Sequence, residues 1–258
     1  MNNLLVLWDI DGTLLNSGGV GHDLYDAVFL QLFGRSLDAI APMAGRTDRA
    51  IILDTLSQAG VAEPRRYVDP FIACLTAQAP MVREAVALRG YALPGAAAIL
   101  NELHGRVYQS VLTGNIRPVA EVKLAALGLR DGLDLCIGAY GDDHEVRAEL
   151  VQVARRRAAA VHGRSPAEFA GTSTLVIGDT PLDIEAALAA GARAVGVATG
   201  SYPAADLVAA GAHTVLPDLT ETSLVLEALL TRPLAMAVLD ALTSGCLPGS
   251  RGRSASRA

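Results

Sequence analysis

Two aspartates one residue apart follow the first apolar run of the chain. Asp9 and Asp11 come directly after Leu4–Trp8, a run without alternation that is typical of a strand buried on both faces of a parallel sheet. Side chains two apart on a strand point the same way, so both carboxylates can reach one site at the strand's carboxyl end. Two carboxylates this close need a cation or a proton between them. The pattern therefore indicates either a nucleophile and an acid/base group beside a hard cation such as Mg²⁺, or only an Asp-Gly turn at Gly12.

A second pair of aspartates follows another apolar run late in the chain. Thr174–Ile177 is predicted to be a buried strand, and Gly178 and Asp179 follow it directly. Asp183 lies at the start of the helical pattern Ile184–Ala190, one helical turn beyond Asp179. We therefore assign Asp179 as a metal ligand, and Asp183 as a residue that binds the metal through water or orients its neighbour.

A third strand end lies between these two in the sequence. Tyr108–Leu112 is predicted to be a strand, and Thr113, Gly114 and Asn115 follow it. A Thr hydroxyl and backbone N–H groups that face a helix start suit phosphate oxygens, although such residues often only cap a helix. Because this segment lies between two acidic strand ends, we predict phosphate binding by Thr113 and the backbone of Asn115. Gly114 and Gly12 are assigned to the same phosphate group.

The remaining apolar patterns predict an alternation of strands and helices, which is typical of a parallel sheet covered by helices. Further strands are expected at Leu133–Ala139, Ala194–Ala198 and, at a sheet edge, His213–Asp218. Helices are expected at Ala96–His104, Val119–Leu127, Val146–Val161 and Leu224–Leu230. Residues 22 to about 86 show helical spacing without a strand-like run, so about four helices are expected there, after a Gly-rich hinge at Asn16–Gly21.

The three motifs together resemble the haloacid dehalogenase-like superfamily of hydrolases. Asp-x-Asp-Gly-Thr comes first, Leu-Thr-Gly-Asn follows in the middle and Gly-Asp-x-x-x-Asp comes late, in a similar order and spacing over roughly residues 4–218. The resemblance implies an α/β fold in which a Rossmann-like parallel sheet core, residues 1–15 and 92–232, carries an inserted, mostly helical cap domain, residues 16–91. The cap is most similar to that of phosphoglycolate phosphatase-like members. Residues 233–258 are expected to be a C-terminal extension, flexible from about residue 248.

The same resemblance implies a Mg²⁺-dependent hydrolase of phosphate monoesters that acts on a small phosphorylated metabolite. Asp9 would attack phosphorus to give an aspartyl-phosphate, and Asp11 would protonate the departing alkoxide and then activate water. Mg²⁺ would be bound by Asp9, the backbone carbonyl of Asp11 and Asp179, with Asp183 beside it. Thr113 would hold oxygens of the transferred group.

Members of this superfamily also need a fixed cation, and here the usual Lys at the start of a helix is missing. Arg147 stands at that position and is predicted to take its role, while Lys123 is the competing candidate for the phosphate-binding cation. Within the cap, Arg46 is predicted to reach the substrate on closure, although a solvated helix face is expected for at least one of Arg46 and Arg49. Three consecutive arginines, Arg155–Arg157, cannot share one helix face and are predicted to be solvated.

Alternative functions differ in what they require of these residues. Similar dehalogenases release halide without a metal and do not need Asp11, and a phosphonate hydrolase would want a lysine in the cap, where residues 16–92 contain none. A non-enzymatic phospho-acceptor of the receiver type would lack the helical insertion. A phosphosugar mutase uses the same two aspartates and stays open, as does a non-catalytic phosphate-binding module.

Composition sets limits on partners and location. A net charge of −6 and a pI near 5.3 argue against nucleic acid and anionic membranes as partners. Cys74, Cys136 and Cys246 form no ligand pattern and suit reduced thiols. The sequence has no apolar segment of about 18–20 residues and no signal-peptide pattern at its start, so we expect a cytoplasmic protein that is a monomer or a homodimer.

Overall fold

A five-stranded parallel sheet forms the centre of the structure, a computed structural model that describes residues 3–231. Residues 3–231 contain seven strands, of which five form this sheet: β1 (Leu5–Trp8), β2 (Leu15–Asn16), β3 (Tyr91–Ala92), β4 (Tyr108–Val111), β5 (Thr174–Gly178), β6 (Arg193–Val197) and β7 (Thr214–Leu216). The order across the sheet is β4-β1-β5-β6-β7, with every neighbouring pair parallel. Strands β2 and β3 pair antiparallel in a short separate ribbon. The predicted edge strand near residue 214 is confirmed.

Besides three short 3-10 helices, ten α-helices complete the described part of the chain. They are α1 (Val20–Phe33), α2 (Asp48–Gln58), α3 (Val68–Ala77), α4 (Ala79–Arg89), α5 (Ala96–Leu103), α6 (Arg117–Ala126), α7 (Arg147–His162), α8 (Pro181–Ala189), α9 (Ala204–Ala209) and α10 (Thr222–Leu230). Helices α1 to α4, here called the helical insertion, lie between β2 and β3 in the chain. The predicted α/β class with an inserted helical cap is confirmed, whereas the domain boundaries at residues 15, 91 and 232 stay a prediction.

The sheet is buried on both faces, which explains why its strands are continuous apolar runs. Alternate residues of β1 point to opposite sides: Val6 and Trp8 pack with α5 and α10, while Leu5 and Leu7 pack with α7 and α8. All four residues of β1 are fully buried. Because both faces are covered, the ends of the strands are the parts of the sheet that can form a ligand site.

The helical insertion has its own apolar core, which continues into α6. Tyr25, Phe29, Ile52 and Phe71 pack together inside it, and Ile116, just before α6, joins the same cluster. The insertion is therefore seated on the helix that follows β4. Thr47 caps the start of α2, and its hydroxyl accepts a hydrogen bond from the Ala50 amide at 3.3 Å.

The prediction of a strand at Leu133–Ala139 is wrong. This segment runs beside β4 but makes only one bridge to it, between Leu112 and Ala139. The amide of Ile137 donates to the carbonyl of Asp134 at 3.2 Å, and this turn takes the intervening backbone out of the ladder. The buried apolar side chains of the segment explain why its sequence resembles a strand.

The prediction of a solvated Arg155–Arg157 run is wrong for Arg155. Its side chain is only 5% exposed, and its guanidinium donates to Thr174 Oγ1 at 3.0 Å and to the carbonyl of Ala190 at 2.8 Å. Arg157 forms a two-pronged ion pair with Asp143 at 2.6 and 2.7 Å, and only Arg156 of the three is exposed. The charged end of Arg155 thus bonds to oxygens of Thr174, the first residue of β5, and of Ala190, which directly follows α8.

Two further expectations concern the chain as a whole. Between residues 3 and 231 no single helix is long and apolar enough to cross a membrane, although the segments Pro64–Ala77 and Ala79–Arg89, bent by 57° at their junction, meet that test as a pair. Cys74 and Cys136 are free thiols. Cys246 and the predicted C-terminal extension lie outside the described residues.

Removing Arg155 tests its role in joining α7 to the sheet. We expect Arg155→Ala to lower the free energy of unfolding by roughly 2–3 kcal/mol, because buried oxygens lose a charged donor. The exposed neighbour gives a matched control: Arg156→Ala should change it by less than about 0.5 kcal/mol. Urea unfolding followed by circular dichroism measures both values, and equal effects of the two substitutions would contradict the assignment.

Candidate active site

The carboxyl ends of β1, β4 and β5 meet at one edge of the sheet and open into a cavity of about 470 Å³. The helical insertion forms the other side of this cavity. Most residues predicted from the sequence line it: Asp9, Asp11, Gly12, Arg46, Thr113, Gly114, Asn115, Lys123, Arg147 and Asp179. Asp183 is fully buried behind them.

Three buried carboxylates lie together at the bottom of the cavity, and one guanidinium contacts two of them. One carboxylate oxygen from each of Asp9, Asp179 and Asp183 lies within 4.8 Å of the other two. Nη2 of Arg147 is 2.9 Å from Oδ1 of Asp9 and 2.6 Å from Oδ1 of Asp183. A single positive charge thus faces three acidic groups, each less than a tenth exposed.

This imbalance of charge is visible in the pKa values. Burial raises the pKa of Asp9 well above its usual range; Arg147 opposes this effect, and the charges of Asp183 and Asp179 add to it. Burial, followed by repulsion from Asp183, raises the pKa of Asp179 to about 7. An all-oxygen cluster with excess negative charge fits a hard divalent cation such as Mg²⁺, which Asp9, Asp179 and Asp183 could hold.

The start of α8 fixes the position of Asp183. Its Oδ2 accepts hydrogen bonds from the Thr180 amide at 3.1 Å and the Thr180 hydroxyl at 2.7 Å, and together the two residues form a capping box. The sequence reasoning had placed Asp183 near the metal but had not identified this cap. The spacing of Thr180 and Asp183 in Thr-Pro-Leu-Asp is the sequence signal that could have indicated this capping box.

Asp11 has a different environment from Asp9, although the two lie two residues apart. Its Oδ2 accepts hydrogen bonds from Lys123 Nζ and from Asn115 Nδ2, both at 2.7 Å. Burial alone would raise the pKa of Asp11, but the charge and hydrogen bond of Lys123 and the bond from Asn115 hold it below its usual value. Asp11 is therefore kept ionised. Its side chain is not part of the three-carboxylate cluster.

Phosphate binding by Thr113 and the backbone of Asn115 stays a prediction, and the structure shows a further role for Asn115. Its side chain, rather than its backbone, connects the site: Oδ1 accepts from Lys123 at 2.7 Å, and Nδ2 also donates to Thr113 Oγ1 at 2.9 Å. The Asn115 amide itself bonds to Thr113 Oγ1 at 3.2 Å. Oγ1 of Thr113 thus accepts two hydrogen bonds, and its own hydrogen can be donated to a further acceptor. The amide of Gly12 already donates to the carbonyl of Leu15 at 2.8 Å.

Gly12 contributes through its lack of a side chain. Its backbone has a positive φ of 83°, and a Cβ there would overlap the carboxylate of Asp179. The hydroxyl of Thr13 donates to Asp179 Oδ1 at 3.1 Å, and that of Thr199 donates to the carbonyl of Gly12 at 2.6 Å. Thr13 and Thr199 were missed by the sequence reasoning, since neither is itself a ligand type for the metal.

The helical insertion contributes two further residues that were missed, Asp48 and Tyr25. Oδ1 of Asp48 accepts from the Tyr25 hydroxyl at 2.6 Å and Oδ2 accepts from the Ile116 amide at 2.8 Å. The amide of Asp48 donates to the carbonyl of Gly114 at 2.7 Å. Burial raises the pKa of Asp48 to about 6, while the Tyr25 and Ile116 hydrogen bonds act in the opposite direction.

Arg46 lines the cavity as predicted, but its guanidinium is bonded within the insertion. Nη2 lies 2.5 Å from Asp54 Oδ2, and Nη1 donates to the carbonyl of Pro42 at 3.2 Å. Arg49 pairs with Asp69 at 2.8 Å. Contact between Arg46 and a substrate stays a prediction.

The chain matches a known protein family over most of its length. The sequence model of the haloacid dehalogenase-like hydrolases matches residues 6–188, more than half of the chain. This protein belongs to that family. The matched range runs from β1 through the helical insertion to α8, and so contains Asp9, Asp11, Asp179 and Asp183. Among curated proteins, none matches the chain.

Solved structures share the fold. A hydrolase from Pseudomonas syringae has a TM-score of 0.60 at 23% identity and covers 88% of this chain and 99% of its own. A "predicted phosphatase" from Clostridium acetobutylicum gives 0.60 at 18% identity, over 87% and 98%. A candidate β-phosphoglucomutase from Bacteroides vulgatus gives 0.60 at 20% identity, over 88% of each chain. At these identities the likeness establishes the fold alone.

Divalent cations should stabilise the protein in a pH-dependent way. Because the pKa of Asp179 is raised to about 7 in the fold, the cation-free native state holds a proton more tightly than the unfolded chain, and its stability falls as pH rises from about 4 to 7. Saturating Mg²⁺ should raise Tm by about 5–10 °C at pH 8 and by less at pH 5, where protons compete. Differential scanning fluorimetry measures both shifts.

The control for this prediction uses two aspartates. Asp179→Asn should remove most of the Mg²⁺ response, whereas substitution of the exposed Asp206 by Asn should leave it intact. A shift of equal size from NaCl at the same ionic strength would contradict cation binding at this cluster.

Proposed function

We propose that this protein is a Mg²⁺-dependent phosphomonoester hydrolase that acts on a small phosphorylated metabolite through an aspartyl-phosphate on Asp9. The observation that carries the proposal is the pair Asp9 and Asp11 at one strand end, each beside its own cation. Arg147 contacts Asp9, and Lys123 contacts Asp11. Environments that push two carboxylates toward opposite pKa values are typical of a site that assigns them different roles.

Asp9 is suited to be the nucleophile. Its carboxylate is held by Arg147 at the bottom of the cavity, and its ionised form becomes available when further positive charge reaches the cluster. Mg²⁺ held by Asp9, Asp179 and Asp183 would neutralise charge on the transferring phosphoryl group. Attack of an Asp9 oxygen on phosphorus would form the aspartyl-phosphate and release the alcohol.

Asp11 is suited to move protons on the side of the leaving group. A phosphate monoester has a second pKa near 6, so its monoanion can bring a proton to Asp11, which then protonates the departing alkoxide. Asp11 is ionised after this step. In that form, which Lys123 and Asn115 stabilise, it can take a proton from the water that attacks the aspartyl-phosphate and frees Asp9.

Arg147 and Lys123 would divide the role of the fixed cation. The guanidinium of Arg147 lies between two carboxylates and can orient the nucleophile. Lys123, the only lysine in the sequence, is 4% exposed and orients Asp11 and Asn115. Thr113 would donate its hydroxyl hydrogen to a phosphoryl oxygen.

A phosphosugar mutase is less well supported. Its intermediate would carry a second phosphate, which needs a second cationic site. Among the described residues that line the cavity, Arg46, Lys123 and Arg147 are each paired with a carboxylate. The phosphoglycolate phosphatase-like assignment rests on the sequence resemblance and stays a prediction.

Loss of the nucleophile gives the first test. With an aryl phosphate and Mg²⁺, we expect phosphate release that EDTA and Asp9→Asn both abolish, and Asp11→Asn should retain about 10⁻² to 10⁻⁴ of the rate. Asp206→Asn, an exposed change of the same type, should keep the full rate. Turnover that survives in Asp9→Asn would refute the proposal.

The pairing of Lys123 with Asp11 gives the second test. Lys123 lowers the pKa of Asp11, so Lys123→Met should raise that pKa and move the acidic limb of the kcat profile to higher pH. Lys123→Arg should move it less, because a positive charge is kept. An unshifted profile in Lys123→Met would exclude Asp11 as the group that sets this limb.

A further inference from the structure

The wall of the cavity opposite the strand ends determines what surrounds the alcohol part of a bound ester. It is largely apolar, with side chains of Leu24, Tyr25, Met43, Ile51 and Val82. Apolar side chains select a ligand by its shape but do not distinguish between polar groups on it. The few charged side chains on it therefore decide which alcohols are accepted.

Asp48 is the acidic side chain that the insertion contributes to this wall within residues 3–231. It is 7% exposed, and each of its oxygens accepts one short hydrogen bond, from Tyr25 or from Ile116. An ionised carboxylate has about four acceptor positions, so Asp48 can accept further hydrogen bonds from a ligand. It has no donor to offer while it is ionised.

The basic side chains of the same wall cannot bind a carboxylate in the usual two-pronged way. Arg46 is already paired with Asp54 at 2.5 Å. His22 is exposed in the first turn of α1 and lacks the fork of donors that an arginine offers. A carboxylate on the alcohol would therefore lie near Asp48 without a free arginine or lysine of the insertion to balance it.

We propose that Asp48 is a specificity residue that selects alcohols carrying a hydrogen-bond donor, an ammonium or a hydroxyl group, and disfavours alcohols carrying a carboxylate. The inference rests on the proposed phosphatase function. It concerns the alcohol and not the phosphoryl group, so it holds or fails separately from the chemistry at Asp9. It also argues against phosphoglycolate as the substrate.

Four esters of similar size test this selection. They are phosphoethanolamine, glycerol 3-phosphate, phosphoglycolate and ethyl phosphate, assayed for phosphate release with Mg²⁺. One or both donor-bearing esters should exceed phosphoglycolate in kcat/KM by about 10- to 100-fold, the range expected for a charge-assisted hydrogen bond. Which of the two is preferred identifies the donor. Equal use of all four, or preference for phosphoglycolate, would overturn the proposal.

Two variants locate the selection in Asp48 and Arg46. Asp48→Asn can keep its Ile116 bond through Oδ1 and should reduce the ratio of donor-bearing ester to phosphoglycolate by about tenfold or more, mainly through KM. Asp54→Asn, at a half-exposed position, releases Arg46 and should raise kcat/KM for phosphoglycolate several-fold without improving the donor-bearing esters. Asp54→Asn keeps the test usable if Asp48→Asn does not fold. Ratios unchanged in every folded variant would contradict the proposal.

Failure of the chemistry and failure of the selection give different results. No phosphate from an aryl phosphate or from any of the four esters would refute the phosphatase function. Calorimetric binding of the four esters to the wild-type protein with Mg²⁺ would then test the selection directly. Tighter binding of a donor-bearing ester than of phosphoglycolate supports it, and equal or reversed binding overturns it.

Discussion

The charge of three buried carboxylates, two of which contact one guanidinium, determines how the site is arranged. Asp9, Asp179 and Asp183 would repel one another if they were free to move, and burial makes that repulsion stronger. They stay together because β1 and β5 are neighbouring parallel strands and because Asp183 is fixed by the helix cap at Thr180. The fold thus supplies a preformed acidic cluster in which Arg147 balances only part of the charge. A bound cation would complete that balance.

The two aspartates of the first motif illustrate how environment separates chemically identical groups. Asp9 lies in the cluster, where burial and neighbouring carboxylates raise its pKa; Asp11 faces Lys123 and Asn115, which lower it. The cations differ in form as well as in place. Arg147 can contact two carboxylates with one planar group, whereas the ammonium of Lys123 fits a compact space between a carboxylate and an amide oxygen. The exchange of the expected lysine for Arg147 is therefore compatible with this geometry.

Close backbone contact between the helical insertion and the sheet brings Asp48 to the cavity. The amide of Asp48 donates a hydrogen bond to the carbonyl of Gly114, and the amide of Arg49 donates one to the carbonyl of Gly141 at 3.3 Å. A Cβ at Gly114 would overlap the carbonyl oxygen of Arg46, and one at Gly141 would overlap the Gly114 carbonyl. Because these two glycines have no side chains, the start of α2 can lie directly on the strand ends. The wall that faces the alcohol is a consequence of this contact.

The strand ends and the helical insertion are predictable from the sequence, because both follow from local patterns. Continuous apolar runs indicate buried parallel strands, and such strands place Asp9, Thr113 and Asp179 at one edge of the sheet. The 3.6-residue spacing after residue 20 indicated the helices of the insertion. The same reasoning failed at Leu133–Ala139, where burial gives a strand-like composition although a turn interrupts pairing.

The pairing of charged and polar groups depends on how the elements pack and is not predictable from the sequence. Tyr25 is 23 residues from Asp48, and Lys123 is 112 residues from Asp11, so no local spacing relates them. Arg155 and Arg156 are adjacent and chemically identical, yet one is buried and the other exposed because only one faces the sheet from α7. Hydrogen bonds and ion pairs of this kind depend on distances set by packing between elements. The sequence therefore specified the chemical groups of the site, and packing determined their partners.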